Sequence, residues 1–367
     1  MPPRKKAKKG VSAKEEPEIE TTTATAAPKA TSGAAANGKK ALAVLPAELL
    51  TKVLAHYKAI GPYTDIYTAR ENRGRNEPDI GPTLDASYLE RSDVLRALSQ
   101  TCRVYREIFL PILYERMEAC ITPRSGKVAF YKHIGETLER KCRGLKKNPA
   151  LAKMVRTVNV SLTRYQTTTI LPTFVSCLQS LPNLHTIKVL HAHTQMTTAI
   201  KKAFSEVSLP SVRTFIGPGM CHELLKTCTE VRTVVCMEED GSKFVGVMGK
   251  NCKNVEEVRG FRLDGNMAKR LVKAAPNLRV LEVSLGLNND VLAFLKSFKK
   301  LCTIDIGAEW STLDPDALLV KDTAELCRAV LKASPSTERK YLRLCYRRQK
   351  FLEMDVEQKH FIDLGME

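Results

Sequence analysis

From residue 154 onward, apolar side chains return in one short pattern: Val155, Val158 and Val160, then Leu184, Ile187 and Val189, and so on to Leu301, Ile304 and Ile306. The spacing i, i+3 and usually i+5, rich in β-branched residues, predicts a short strand in each copy. The first apolar positions are 155, 184, 212, 231, 255, 278 and 301, at steps of 29, 28, 19, 24, 23 and 23 residues. Helix-period segments separate the strands, at Thr197–Val207, Asn266–Ala275 and Asp290–Phe298; in the last, Val291, Leu292, Leu295 and Phe298 share one face. A helix between successive strands makes them parallel, because an antiparallel pair would need only a hairpin. The expected fold is α/β, a helix and strand solenoid with a parallel sheet on its concave wall.

The N-terminal part reads differently. Leu49, Leu50, Val53 and Leu54 form one stripe of a short amphipathic helix, with Pro46 suited to its first turn. Residues 61–90, rich in Gly, Pro, Asn and charge, predict an exposed loop. A second helix is expected to open at Ser92-Asp93 and to carry Val94, Leu95, Leu98, Cys102 and Tyr105 on one side, followed by Phe109, Leu113 and Tyr114; Pro111 should start another. Residues 1–40 hold almost no large apolar side chains and are expected to be a disordered basic tail. Within it Arg4, Lys5, Lys6, Lys8 and Lys9 form a cluster of nuclear-import type. The chain thus divides into tail (1–40), helical domain with a 61–90 insert (41–120), solenoid (121–335) and a helical cap or tail (336–367). The cap is suggested by the basic run between Arg339 and Lys350, interleaved with Tyr341, Leu344, Cys345 and Tyr346.

The opening Leu45-Pro46-x-Glu48-Leu49-Leu50, with Leu95-x-x-Leu98-Ser99-x-x-Cys102-Arg103-x-Tyr105-Arg106 and Phe109-Leu110-Pro111-x-Leu113-Tyr114, resembles an F-box. Together with the repeats and His191-Ala192-His193-Thr194 after the second strand, it is similar to fungal F-box proteins with irregular leucine-rich repeats. That resemblance implies a non-catalytic substrate-recognition subunit of an SCF-type cullin-RING ubiquitin ligase. Its F-box would dock a Skp-type adaptor, and its repeats would hold a client protein. On this reading Leu45, Pro46, Leu49, Leu50, Val53, Leu54 and Leu98 meet the adaptor, since they offer more apolar surface than so small a helical unit can hide. A repeat scaffold or nuclear interaction protein acting without a ligase is the alternative.

Strand alternation assigns the client surface, because side chains between the core positions point the other way. Lys188, Ile216, Val235, Met237, Arg259, Phe261 and Glu282 are expected there, an apolar centre with a charged rim. The competing reading places a loop or helix of this same chain over them.

The formal net charge is +18. The first forty residues, with nine basic and four acidic side chains, supply +5 of it. The remainder is spread along the sequence, which argues against a dedicated nucleic-acid stripe. Eleven cysteines without a C-x-x-C pair predict reduced, mostly buried thiols in a protein of the nucleus, the cytoplasm or both. No P-loop, nucleophile elbow or G-x-G-x-x-G occurs, and Gly217-Pro218-Gly219 reads as a strand-to-helix turn, so neither catalysis nor a cofactor is expected. His191, His193, Cys221 and His222 fall at neighbouring strand ends without regular ligand spacing; packing and polar roles are expected for them rather than zinc.

Overall fold

A computed structural model of the chain describes residues 47–61, 64, 84, 86–123, 129–238, 240–308, 318–347 and 359–366. The basic tail with Arg4, Lys5, Lys6, Lys8 and Lys9, and the positions Leu45 and Pro46, lie outside these residues.

The seven expected strands form: β2 (Thr157–Leu162), β3 (Thr186–Ala192), β4 (Thr214–Gly217), β5 (Thr233–Cys236), β6 (Glu257–Arg259), β7 (Val280–Ser284) and β8 (Thr303–Ala308). Two more extend the series, β1 (Arg116–Ala119) before it and β9 (Tyr341–Arg347) after it. These nine pair in parallel and in chain order, and β10 (Lys359–Asp363) closes the far edge antiparallel to β9. The fold is therefore a mixed α/β architecture around one open, mostly parallel ten-stranded sheet. Its register follows the repeat: Thr157, Thr186, Thr214 and Thr233 stand side by side, continuing through Glu257, Val280 and Thr303 to Tyr341.

Each first apolar position of a repeat is buried, from Val155 to Leu301. These positions and the inward strand residues pack against helices laid down in the same order: α4 (Phe130–Lys147), α5 (Thr167–Gln179), α6 (Thr197–Phe204), α7 (His222–Leu225), α8 (Ser242–Asn251), α9 (Gly265–Ala274), α10 (Asn289–Leu295) and α11 (Leu318–Ala333). Phenylalanines tie neighbouring layers, with Phe215 and Phe244 edge to face at 5.6 Å. Asp264 and Asn288 cap α9 and α10, accepting from Met267 N at 2.6 Å and Val291 N at 3.0 Å.

Before the sheet come α1 (Ala47–Ala55), α2 (Glu90–Thr101) and α3 (Arg103–Tyr114), the last continuing through Pro111 rather than restarting there. Helix α2 begins at Glu90, ahead of the expected Ser92-Asp93 cap. Leu89 precedes it without a side-chain cap, and Asp93 instead binds Arg96 at 2.7 Å.

Two further expectations are corrected. The 61–90 segment is not simply an exposed loop: Thr64, Leu84 and Tyr88 are buried, and Leu84 forms a parallel bridge with Ile121. Leu84, Tyr88 and Leu89 close a small core with Ile60, Cys120, Ile121 and Leu190, which a composition dominated by polar residues conceals. The described part of the C-terminal segment forms strands where a helical cap or tail was expected: Leu342 and Leu344 are buried while Tyr341 is exposed, so the period is two, and Arg343 lies on an outer position.

Candidate docking surfaces

The three N-terminal helices close around Leu50, Leu54, Leu95, Tyr105 and Phe109, with Leu98 and Leu113 packed against them. Tyr105 and Phe109 meet edge to face at 5.3 Å, and Arg91 Nη1 donates to Leu54 O at 2.5 Å, fixing the end of α1. One residue before each buried pair stands a second apolar pair that remains in solvent. Leu49 and Val53 on α1 are 45% and 50% exposed, and Val104 and Ile108 on α3 are 50% and 39% exposed. On both helices the i, i+4 repeat places one pair inside and its neighbour about 100° further round, outside. Full burial of such side chains is worth about 1.5–3 kcal/mol each, and roughly half of that is unrealised.

This divides the expected adaptor set. Leu50 and Leu54 are core, Leu98 is half-buried against the same core, and Leu49 and Val53 are available to a partner. Val104 and Ile108 join them. They stand one position ahead of Tyr105 and Phe109 at the same i, i+4 spacing, which is the sequence signal for a second apolar stripe.

The sheet face turned away from the helices is less open than its alternation implied. Lys188 is 1% exposed; its Nζ donates to Gly61 O at 2.7 Å and to Thr64 O, so the chain entering the 61–90 insert lies on this strand. Ile216 and Val235 are buried, and Met237 and Glu282 are partly buried. Arg259 is buried in an ion network. Its guanidinium meets Glu257, Glu282 at 3.6 Å and Asp305 at 2.6 Å, and Asp305 also accepts from Arg343 at 2.7 and 3.0 Å. The Phe361 ring from β10 lies over Arg343 and Arg259, at 4.6 and 5.7 Å from its centre.

Of the expected client residues, Lys188, Ile216, Val235 and Arg259 are thus buried. Phe261 is corrected for a different reason. Strand β6 ends at Arg259, and Gly260 takes φ +68°, where a Cβ would collide with the Cys236 carbonyl. That left-handed residue breaks the alternation and turns Phe261 into the core, 6.3 Å from Phe244.

The histidines at the strand ends take local roles. His193 Nδ1 accepts from Gln195 N at 3.2 Å, His222 Nδ1 lies 3.2 Å from Gly219 O, and His191 Nδ1 lies 3.7 Å from Glu238. Among the described residues no group of three or more His, Cys, Asp or Glu is arranged to hold a metal, and no helix is long and apolar enough to cross a membrane. A cavity of about 290 Å³ opens between α2, α3, β1 and α4, floored by Leu113, Met117 and Leu145 and edged by Arg96, Arg140 and Lys141. Glu118 lines it too, and burial pushes its carboxyl above the usual range.

The chain matches no protein-family model and no curated protein.

Proposed function

We propose that the protein is the substrate-recognition subunit of an SCF-type ubiquitin ligase, with α1–α3 acting as an F-box-like unit and the β–α array acting as a leucine-rich-repeat-like body that carries the client. The observation that supports this reading best is the solvent-facing aliphatic set Leu49, Val53, Val104 and Ile108, backed by its own closed core of Leu50, Leu54, Tyr105 and Phe109. A unit whose core is already complete gains nothing internally from a second apolar stripe, and branched aliphatics on rigid helices suit a groove in a partner helix bundle. The protein's part would be proximity rather than bond chemistry, holding a client lysine near the charged conjugating enzyme.

The test is capture of a purified Skp-type adaptor. Leu49→Glu with Val53→Glu should reduce capture at least tenfold while leaving the thermal unfolding curve in place, since both side chains are already half in water. Capture at wild-type yield would refute the assignment. A scaffold without ligase function is the second reading, and the burial of the sheet face favours it: Lys188 and Arg259, which a client would have met, are paired within the chain. A chain that never captures adaptor, wild type included, would establish that reading.

A further inference from the structure

The positive charge spread along the sequence is gathered by the fold. In a β–α array every helix ends, and every strand begins, on the same edge of the sheet. The segments joining them are therefore stacked, however far apart they lie in sequence. Segments 226–232, 250–256, 273–279 and 296–302 each hold two or three Lys or Arg and at most one Glu. Direct bonds show their adjacency. Asn277 Nδ2 donates to Lys253 O at 3.1 Å, Lys300 Nζ donates to Asn277 Oδ1 at 2.8 Å, and Arg213 meets Glu230 at 3.4 Å.

Three acids on this edge are engaged by arginines, Glu230 by Arg213, Glu256 by Arg232 at 3.7 Å, and Glu338 by Arg279, while Glu206 stands exposed. The lysines are not engaged in this way. Lys226, Lys250, Lys273 and Lys299 are exposed and form no ion pair among the described residues. On the opposite edge, where helices begin, Asp240 and Asp264 accept from the backbone of the following helix, and Glu223 and Asp290 stand in first turns. Lysine at a helix C-terminus complements the macrodipole, but that end carries only about half a negative charge. Two or three full cations per repeat leave a large positive surplus.

We infer that this edge is a binding surface for the sugar-phosphate backbone of a nucleic-acid duplex, read without regard to sequence. The chemistry favours this ligand over other polyanions. The cations run in a line: the four segments precede the neighbouring strands β5 to β8, which at about 4.8 Å spacing extend roughly 14 Å, about four phosphates along one strand of a duplex. Lysine dominates, giving point charges suited to phosphate rather than bidentate forks for particular bases. Among the described residues, Tyr341 is the only large apolar or aromatic side chain that is strongly exposed near this edge. It therefore lacks the stacking platform a single strand requires and the wedge a lipid surface requires. The inference is independent of adaptor docking, which involves α1 and α3.

The test is fluorescence anisotropy of a labelled mixed-sequence 30-base-pair duplex with the full chain, its basic tail retained throughout. Wild type should bind with an affinity that falls steeply with salt. The set Lys226→Glu, Lys250→Glu, Lys273→Glu and Lys299→Glu should weaken binding at least about a hundredfold and flatten the salt slope. The same positions changed to Gln should give an intermediate loss, and Lys269→Glu with Lys321→Glu, away from this edge, should change affinity less than threefold. Circular dichroism melting confirms that each variant folds. The inference is overturned if the reversed set binds as wild type does, if wild type binds anionic phosphatidylserine vesicles or polyglutamate but not the duplex, or if no duplex binding is found at low salt.

Discussion

Asp305 is fully buried, yet it is held by two arginines, Arg343 from β9 and Arg259 from β6, so one carboxylate ties strands that are not all neighbours. Removing Asp305 leaves the buried Arg259 with fewer counter-charges, Glu257 and Glu282 among the described residues, while Arg343 retains some access to water. Asp305→Ala is therefore expected to lower stability by about 3–5 kcal/mol, read as a fall in the urea midpoint with an unchanged slope. Thiols give a second check at this scale. Cys102 is exposed and the other ten cysteines are buried and free. A thiol reagent should consequently modify one cysteine per native chain and eleven after denaturation; two or more fast native thiols would contradict the packing. Burial pushes Cys228, Cys252 and Cys327 up to about 12. These groups keep their protons when folded and lose them near pH 9 when unfolded. Their contribution to stability is thus complete below about pH 9 and declines between pH 9 and 12, by about 1.4 kcal/mol per thiol per pH unit. A flat urea midpoint across that window would be the contrary result. The burial of the repeat positions from Val155 to Leu301 was readable from the sequence because one apolar spacing returns seven times. The fate of Lys188 was not, since its partners Gly61 and Thr64 lie more than 120 positions away and carry no pattern that points to it.

Elements were legible in proportion to their periodicity. Strands β2 to β8 follow from two or three repeated apolar positions each, whereas β1 rests on Met117 and Ala119 alone, and β9 hides two leucines among arginines and tyrosines. The start of α2 was misplaced because Ser92-Asp93 offers cap chemistry that the single turn Ala86–Leu89, packed by the buried Tyr88, makes unnecessary. The client face failed at element ends. Alternation holds only while a strand lasts, and β6 stops at Arg259, after which Gly260 reverses the direction of Phe261. That glycine gives a direct test. Gly260→Ala must accommodate a Cβ against the Cys236 carbonyl at a positive φ, and is expected to cost on the order of 3 kcal/mol. Gly246→Ala, on an exposed helical position with open space around it, should be neutral or slightly stabilising. Equal melting temperatures for the two variants would mean the β6 turn is not built this way.

Across the whole molecule, stacking repeats converts a diffuse charge excess into one polarised edge, something neither net charge nor local sequence reveals. Stacking also separates tasks. On the sheet face Lys188 and Arg259 are held by the chain's own groups, while the N-terminal helices keep Leu49, Val53, Val104 and Ile108 in solvent; Leu318 and Leu319 are also exposed among the described residues. The most direct measurement of that claim is hydrogen exchange of the chain with and without a Skp-type adaptor. Slowed exchange confined to Ala47–Ala55 and Arg103–Tyr114, and abolished by Leu49→Glu with Val53→Glu, is the expected result; adaptor-dependent protection elsewhere, or none at saturating adaptor, would contradict it.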